Sequence, residues 1–171
     1  MEQYIIKWES VYEQKISNIH CSKLAEFNYK LLNNLIICGQ RLNKWNKDIP
    51  KYCSVCNMEE SPEHLLFTCN RVANIWLFFS DIVSFQIKWK HIVLGFFESN
   101  NNVMFFNLLF AIIARSIFVD WCKCTYGVSF YKDINLMINI TNNIHVHRCL
   151  CKSSKLFTKW VGQFERVCEK L

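Results

Sequence analysis

Three cysteines and one histidine lie in the middle of the chain at spacings typical of metal ligands. Cys53, Cys56, His64 and Cys69 form the pattern C-x2-C-x7-H-x4-C. Two thiolates on a tight turn, joined by an imidazole and a third thiolate from one later segment, suit the tetrahedral preference of zinc. Because four protein ligands leave no open position for water or substrate, we expect one structural Zn²⁺. The alternative is that these cysteines are unligated core residues.

The spacing between His64 and Cys69 constrains the segment that carries them. On a straight helix, five residues rotate a side chain by about 140°, so the two could not face one ion. We therefore expect the helix to end or bend near Cys69-Asn70. Its start is indicated by Ser61-Pro62-Glu63, because Ser caps free backbone N–H groups and Pro is tolerated at the first helical position. A helix should begin at about Pro62.

A second set of possible ligands lies near the C-terminal end: His145, His147, Cys149 and Cys151. On an extended segment these alternating residues would share one face, whereas on a helix they would scatter. No knuckle turn accompanies them, so we expect buried or partly buried residues without a metal. A second metal site stays open as an alternative.

Cations flank the first cysteine cluster. Arg41, Lys44, Lys47 and Lys51 precede it and Arg71 follows it, opposed before the cluster only by Asp48. We expect these side chains to contact the phosphates of a nucleic acid, and Tyr52 to stack on an unpaired base. The alternative for each lysine is a solvated helix face. A second basic candidate comprises Arg148, Lys152, Lys155, Lys159, Arg166 and Lys170.

The elements that must position these residues are helical. Apolar residues recur at helical spacing over 22–37, with Ser22 as an N-cap and Gly39 just past the end. A weaker stripe consists of Ile5, Trp8, Tyr12, Ile16 and Ile19. Val103 to Trp121 is apolar nearly all round, as expected of a central helix, and two more helical patterns cover 131–144 and 154–169. Alternating strand patterns are nearly missing.

We therefore expect a mostly α fold, a small helical domain with a CCHC zinc knuckle inserted between helices. An N-terminal helical segment would cover residues 1–50, the zinc-binding module 51–80 and a C-terminal helical region 81–171, packed as one unit. With 171 residues, 51% hydrophobic, and only four Gly and two Pro, the chain should form a packed core.

Composition also excludes several classes. The longest uncharged stretch, from Ser99 to Ala114, is too short for the roughly 18–20 apolar residues of a membrane-spanning helix. The N-terminus lacks the features of a secretory signal. We expect an intracellular protein whose ten cysteines are thiols or metal ligands instead of disulfides.

These residues resemble a known family. Trp8, the run from Phe27 to Leu32, Leu42 and Trp45, the Cys53/Cys56 knuckle, the run from Glu60 to Cys69, and Trp76 are similar in order and spacing to a zinc-binding C-terminal region. That region belongs to the reverse transcriptases of LINE-type (non-LTR) retrotransposons. A weaker similarity extends the resemblance to roughly residues 8–165.

The resemblance implies a nuclear module beyond the polymerase thumb that binds template RNA or target DNA during target-primed reverse transcription. The parent polymerase domains are then further partners. The chain has only four Asp and no adjacent Asp pair, so we expect no polymerase chemistry. Asp120 and Asp133 are isolated and no Pro-Asp motif occurs, so we expect no nuclease either. We expect no catalytic activity of its own and no small-molecule substrate.

Two other classes remain open. The runner-up is a zinc-stapled protein-interaction or scaffold module, which an exposed apolar patch at Phe78-Phe79 or Phe96-Phe97 would favour. The weakest is a cysteine-dependent enzyme using Cys21 with His20, or Cys149 with His147, since adjacency in sequence does not place side chains in hydrogen-bond reach.

Overall fold

The computed structural model describes residues 7–17, 19, 21–97, 102–127, 133–151 and 157–170, and these residues are mostly helical. The α-helices are α1 (Trp8–Tyr12), α2 (Ser22–Leu32), α3 (Gly39–Trp45), α4 (Asn70–Val83), α5 (Trp89–Val93), α6 (Val103–Thr125), α7 (Asp133–Cys151) and α8 (Phe157–Lys170). Two π-helical turns cover Glu13–Ser17 and His64–Thr68. In the described part no strand forms, which confirms the predicted fold class.

Helix α6 is the centre of the molecule. Every residue from Phe105 to Ala114 is buried, because α2, α5, α7 and the His64–Thr68 turn pack around it. The predicted central helix is confirmed and extends to Thr125. By length and hydropathy alone α6 could also cross a membrane, and 72% of its most apolar window is buried inside the protein.

Helix α2 ends earlier than the periodicity predicts. Its last residue is Leu32, and Asn34 adopts the left-handed conformation (φ 54°) that lets the Leu35 N–H donate to the Lys30 carbonyl. Asparagine tolerates this conformation, so Asn34 ends the helix, a role that we expected Gly39 to have several residues later. Gly39 instead begins α3, and Ser22 is the first helical residue, not the N-cap.

The predicted N-terminal stripe is only partly confirmed, because Ile16 and Ile19 are partly buried and Ile19 packs against the core, whereas its described members before them are exposed. Trp8 is 51% exposed and Tyr12 37%, whereas Val11 and Lys15 are buried. The π-helical turn at Glu13–Ser17 explains the difference, because its wider turn changes the register of the face that meets the core. Ile5 lies outside the described residues.

One continuous core runs through the chain. Buried apolar residues from Leu24 in α2 to Val167 in α8 form a single cluster that crosses the predicted boundaries at residues 50 and 80. Helix α7 is longer than predicted and includes the whole second Cys/His set. The metal-ligand segment is therefore attached directly to the main core.

Candidate metal centre

The first two cysteines lie on a tight turn held by backbone hydrogen bonds. The Cys53 N–H donates to the Met58 carbonyl and the Asn57 N–H to the Cys53 carbonyl, both at 2.8 Å. Asn57 takes a left-handed conformation (φ 54°), which closes the turn. An isolated antiparallel bridge between Tyr52 and Glu59 joins its two arms. This is the predicted knuckle.

The other two ligands come from a helical turn with an unusual pitch. The helix begins at Pro62 as predicted, and the Ser61 Oγ accepts the His64 N–H at 3.1 Å. The Cys69 N–H then donates to the His64 carbonyl at 2.9 Å, a bond between residues five apart that defines a π-helical turn. The wider turn brings residues 64 and 69 towards one face.

The chain leaves this helical turn where expected. Cys69 has extended backbone angles (φ −62°, ψ 136°), and α4 starts at the next residue. The predicted bend at Cys69-Asn70 is confirmed. The π-helical geometry was not foreseen, although the requirement that both side chains face one ion was the signal for it.

The four side chains converge on one point. Their ligand atoms all lie within 4.8 Å of one another, with Cys69 Sγ 3.7 Å from Cys53 Sγ and 3.5 Å from Cys56 Sγ. A tetrahedral ion with Zn–S bonds of about 2.3 Å separates two sulfurs by about 3.8 Å. The spacing of the sulfur atoms therefore fits a tetrahedral zinc site.

His64 has the buried, unsatisfied atom that a metal ligand requires. Its Nε2 is buried and has no hydrogen-bond partner, while its Nδ1 lies 3.4 Å from the Thr68 Oγ1. A buried ring nitrogen without a partner is costly, and an ion bound at Nε2 would remove that cost. Burial also lowers the pKa of His64, which favours the neutral imidazole that binds metals.

The surroundings of the Cys69 sulfur disfavour its charged form. Burial, together with the neighbouring Cys53 and Cys56 thiols, raises the pKa of Cys69 to about 12. The backbone N–H of Arg71, which hydrogen-bonds to Cys69 Sγ, partly opposes this effect. The Asn70 N–H donates a hydrogen bond to Cys56 Sγ at 3.3 Å. A bound divalent ion would supply the remaining stabilisation of the thiolates.

Glu60 connects the knuckle to α3. Its buried Oε1 accepts the Gly39 N–H at 2.8 Å and its carbonyl accepts the Gln40 N–H at 3.2 Å. Its own N–H donates to the Lys51 carbonyl at 2.9 Å. A Cβ atom on Gly39 would lie 2.8 Å from both Glu60 Oε1 and the Pro50 carbonyl, so this close approach requires glycine. The sequence does not single out Glu60, because its neighbour Glu59 is also acidic. The structure separates the two, since Glu60 is buried and Glu59 is exposed.

The structure divides the predicted nucleic-acid contacts. Lys44 and Lys47 are exposed, and Tyr52 is 49% exposed with the Lys51 Nζ 4.8 Å from the centre of its ring. The Lys51–Tyr52 hydrogen bond and charge interaction raise the pKa of Lys51. Arg41 is half-buried and donates to the Ile36 carbonyl at 3.1 Å, so part of its guanidinium already has a structural role.

Arg71 has a different role from the predicted one. Its side chain, 6% exposed, forms a 2.8 Å ion pair with Asp120 of α6, whose side chain is 10% exposed. The pair joins α4, directly after the last predicted ligand, to the central helix. Because its guanidinium is buried against this carboxylate, Arg71 is not exposed for the phosphate contact expected of it.

The second Cys/His set does not converge in the described part of the chain. On α7, His147 and Cys151 are buried while His145 and Cys149 are exposed, so the four scatter as expected of a helix. Burial, with a smaller effect of Arg115, lowers the pKa of His147. Among described residues, only the Cys53 group brings three or more such side chains together.

Two other expectations concern the surface. At the two places where an exposed apolar patch would favour an interaction module, Phe79 and Phe96 are buried and Phe78 is half-buried, so only Phe97 is exposed. In the second basic candidate, Lys152 and Lys155 lie outside the described residues. Its Arg148 is paired with Glu165 at 3.5 Å.

Comparison with known families supports the metal centre. Residues 2–76 match the family described as zinc-binding in reverse transcriptase, and the match includes all four proposed ligands. This confirms, for residues 2–76, the resemblance to a zinc-binding region of reverse transcriptases, whereas the LINE-type assignment stays a prediction. The matched region ends at Trp76, so the weaker similarity beyond it stays a prediction. No curated protein and no solved structure matches the chain.

Proposed function

We propose that the protein is a non-catalytic nucleic-acid-binding module of the LINE type, stabilised by one structural Zn²⁺. The ion would be held by Cys53, Cys56, His64 and Cys69. The observation that carries the proposal is that these four ligand atoms converge beside an exposed basic segment. Template RNA or target DNA of the parent element would be the partner.

The environment of the four ligands supports a structural role for the ion. Cys53, His64 and Cys69 are buried and only Cys56 is partly exposed. Four protein ligands complete a tetrahedral shell, which leaves no position for an activated water. The zinc would hold the knuckle against the π-helical turn, so that the surface of the knuckle has one conformation when it meets a partner.

The basic segment supports a phosphate-binding role. Lys44 and Lys47 lie at and just after the end of α3, and Lys51 enters the knuckle. Among these residues and their neighbours from 44 to 52, Asp48 is the one acidic side chain. Release of the counterions that surround a nucleic acid would favour binding to such a segment.

The proposal is tested by fluorescence anisotropy of labelled single-stranded RNA, single-stranded DNA and duplex DNA with zinc-loaded protein at several salt concentrations. We expect binding that weakens with salt. The triple variant Lys44→Gln/Lys47→Gln/Lys51→Gln should bind more weakly and should reduce the slope of log affinity on log salt by about 2–3, since each phosphate contact contributes about 0.7–0.9.

A matched control removes the same charge from other exposed lysines. The variant Lys23→Gln/Lys90→Gln/Lys123→Gln changes the net charge equally but leaves the knuckle intact. It should keep most of the affinity. Equal losses in both triple variants would show non-specific attraction, and no binding at low salt would overturn the proposal in favour of a zinc-stapled protein-interaction module.

A further inference from the structure

Two aromatic side chains that precede the first proposed metal ligand by a few residues in the sequence are exposed to solvent. Trp45, the last residue of α3, is 75% exposed, and Tyr52 of the knuckle is 49% exposed. In contrast, Trp76, Trp121 and Trp160 are each 3% exposed or less. Leaving an indole in water forgoes the large gain of burying it, so its exposure next to a basic segment suggests a binding role.

The backbone that carries these two rings is held in place by hydrogen bonds. Glu60 joins the start of α3 to the knuckle through Gly39, Gln40 and Lys51. The Asn43 side chain donates to the Ile49 carbonyl at 2.7 Å and to the Lys47 carbonyl at 3.4 Å, and both acceptors lie between the two rings in the sequence. The loop from α3 to the knuckle is therefore held at the carbonyls of Lys47, Ile49 and Lys51.

Cations accompany both rings. Lys44 and Lys47 lie within two residues of Trp45 in the sequence and are exposed, and the Lys51 Nζ lies over the Tyr52 ring. Flat apolar rings among cations complement a single nucleic-acid strand, whose bases are flat and whose backbone is anionic. A duplex offers the phosphates but not the base faces, because those are stacked inside it.

We propose that Trp45 and Tyr52 are stacking sites for unpaired bases, and that the module therefore prefers single-stranded nucleic acid to duplex. The inference rests on the proposed nucleic-acid-binding function and adds to it the form of the ligand. The lysines bind phosphates of either form, whereas the two rings contact only bases that are free to stack. The ring contribution should be nearly independent of salt.

The test compares a 20-nucleotide mixed-sequence single strand with its blunt duplex, using fluorescence anisotropy with the zinc-loaded full chain. We expect the wild type to prefer the single strand. Trp45→Leu and Tyr52→Leu should each weaken single-strand binding by about 5- to 150-fold, the range for loss of one stacked base, and leave duplex binding nearly unchanged. Trp45→Phe and Tyr52→Phe should restore most of the affinity, since they keep a ring.

Matched controls remove exposed aromatic residues elsewhere. Trp8→Leu in α1 and Tyr29→Leu in α2 replace rings that are 51% and 49% exposed, and should leave the affinity unchanged. Zinc content and circular dichroism check that every variant is folded. We expect the Trp45 and Tyr52 variants to fold, because both side chains are exposed and contribute little to the core.

The outcomes separate this inference from the proposed function. Loss confined to the single strand and rescued by phenylalanine supports stacking. Binding without preference for the single strand, still weakened in the lysine triple variant, overturns stacking and leaves the proposed function standing. Absence of binding to both forms at low salt overturns both.

Discussion

Two sets of four Cys and His side chains occur in this chain, and only one of them forms a cluster. Cys53, Cys56, His64 and Cys69 bring their ligand atoms within 4.8 Å, whereas the set from His145 to Cys151 is divided between the buried and exposed faces of α7. Both sets consist of potential metal ligands, three Cys and one His in the first and two of each in the second. The backbone that carries the residues makes the difference.

The first set draws its ligands from two separate segments with special geometry. The knuckle needs the left-handed Asn57, and the later pair needs a π-helical turn that brings residues five apart onto one face. The second set lies on one regular helix, where alternate residues point in opposite directions. Convergence therefore depends on local departures from regular structure, for which metal binding offers a compensating free energy.

The largest effect expected is loss of the metal from the first set. Cys56→Ser or His64→Ala should abolish zinc binding and unfold residues from about Lys51 to Cys69, because structural zinc contributes about 10–16 kcal/mol of apparent binding free energy in zinc-finger peptides. Zinc content by atomic absorption and hydrogen exchange over this segment measure the result. A chelator should produce the same pattern in the wild type.

The matched control comes from the second set. Cys149→Ser changes an exposed cysteine of α7 and should leave zinc content and thermal stability unchanged. If it released zinc as readily as Cys56→Ser does, or if Cys56→Ser kept full zinc, the contrast between the two sets would fail.

The next effect concerns the ion pair that attaches the metal-binding region to the core. Arg71→Ala leaves the Asp120 carboxylate buried without its partner, and removal of one member of a buried pair costs about 3–5 kcal/mol. Urea unfolding with zinc present measures this cost. The double variant Arg71→Met/Asp120→Leu should recover most of the stability, since apolar residues of similar volume often replace such a pair.

Failure of that recovery would have a definite meaning. If the double variant were as unstable as Arg71→Ala, the two side chains would not act as a pair. In contrast, replacement of the exposed Lys44 should leave stability nearly unchanged, because its side chain is solvated.

Replacement of a glycine by alanine should have opposite effects on stability at Gly39, which begins α3, and at Gly162 in α8. Gly39→Ala places a Cβ 2.8 Å from the Pro50 carbonyl and from Glu60 Oε1, and should destabilise the protein by about 1–3 kcal/mol. Gly162→Ala in α8 meets nothing within 4 Å and should stabilise the helix by up to about 1 kcal/mol. Thermal unfolding of both variants decides the comparison, and equal signs would contradict it.

The parts of this fold that follow from local patterns were predictable. Ligand spacing indicated the site and the bend at Cys69, and the apolar run indicated α6. The parts that depend on distant partners were not. The burial of Arg71 requires Asp120, 49 residues away in the chain, and the role of Glu60 requires the backbone of Gly39. Likewise, the buried face of α1 could not be derived from a straight-helix period, because the chain continues in a π-helical turn.

The smallest expected effect is the loss of stability at low pH that comes from His147, a buried histidine of the second set. Burial, and then the charge of Arg115, lowers the pKa of His147 in the folded protein, while the unfolded chain keeps a value near 6.5. Above that pH neither state holds the proton and stability is unaffected. As the pH falls below it, the unfolded chain binds a proton that the folded protein resists, so the free energy of unfolding decreases.

His147→Gln should make the fall in stability between pH 7.5 and 5.5 shallower, measured by urea unfolding with zinc content checked at each pH. Because the zinc ligands are intact in both proteins, acid release of the metal contributes equally, and identical pH dependence in the two would show that His147 does not resist protonation.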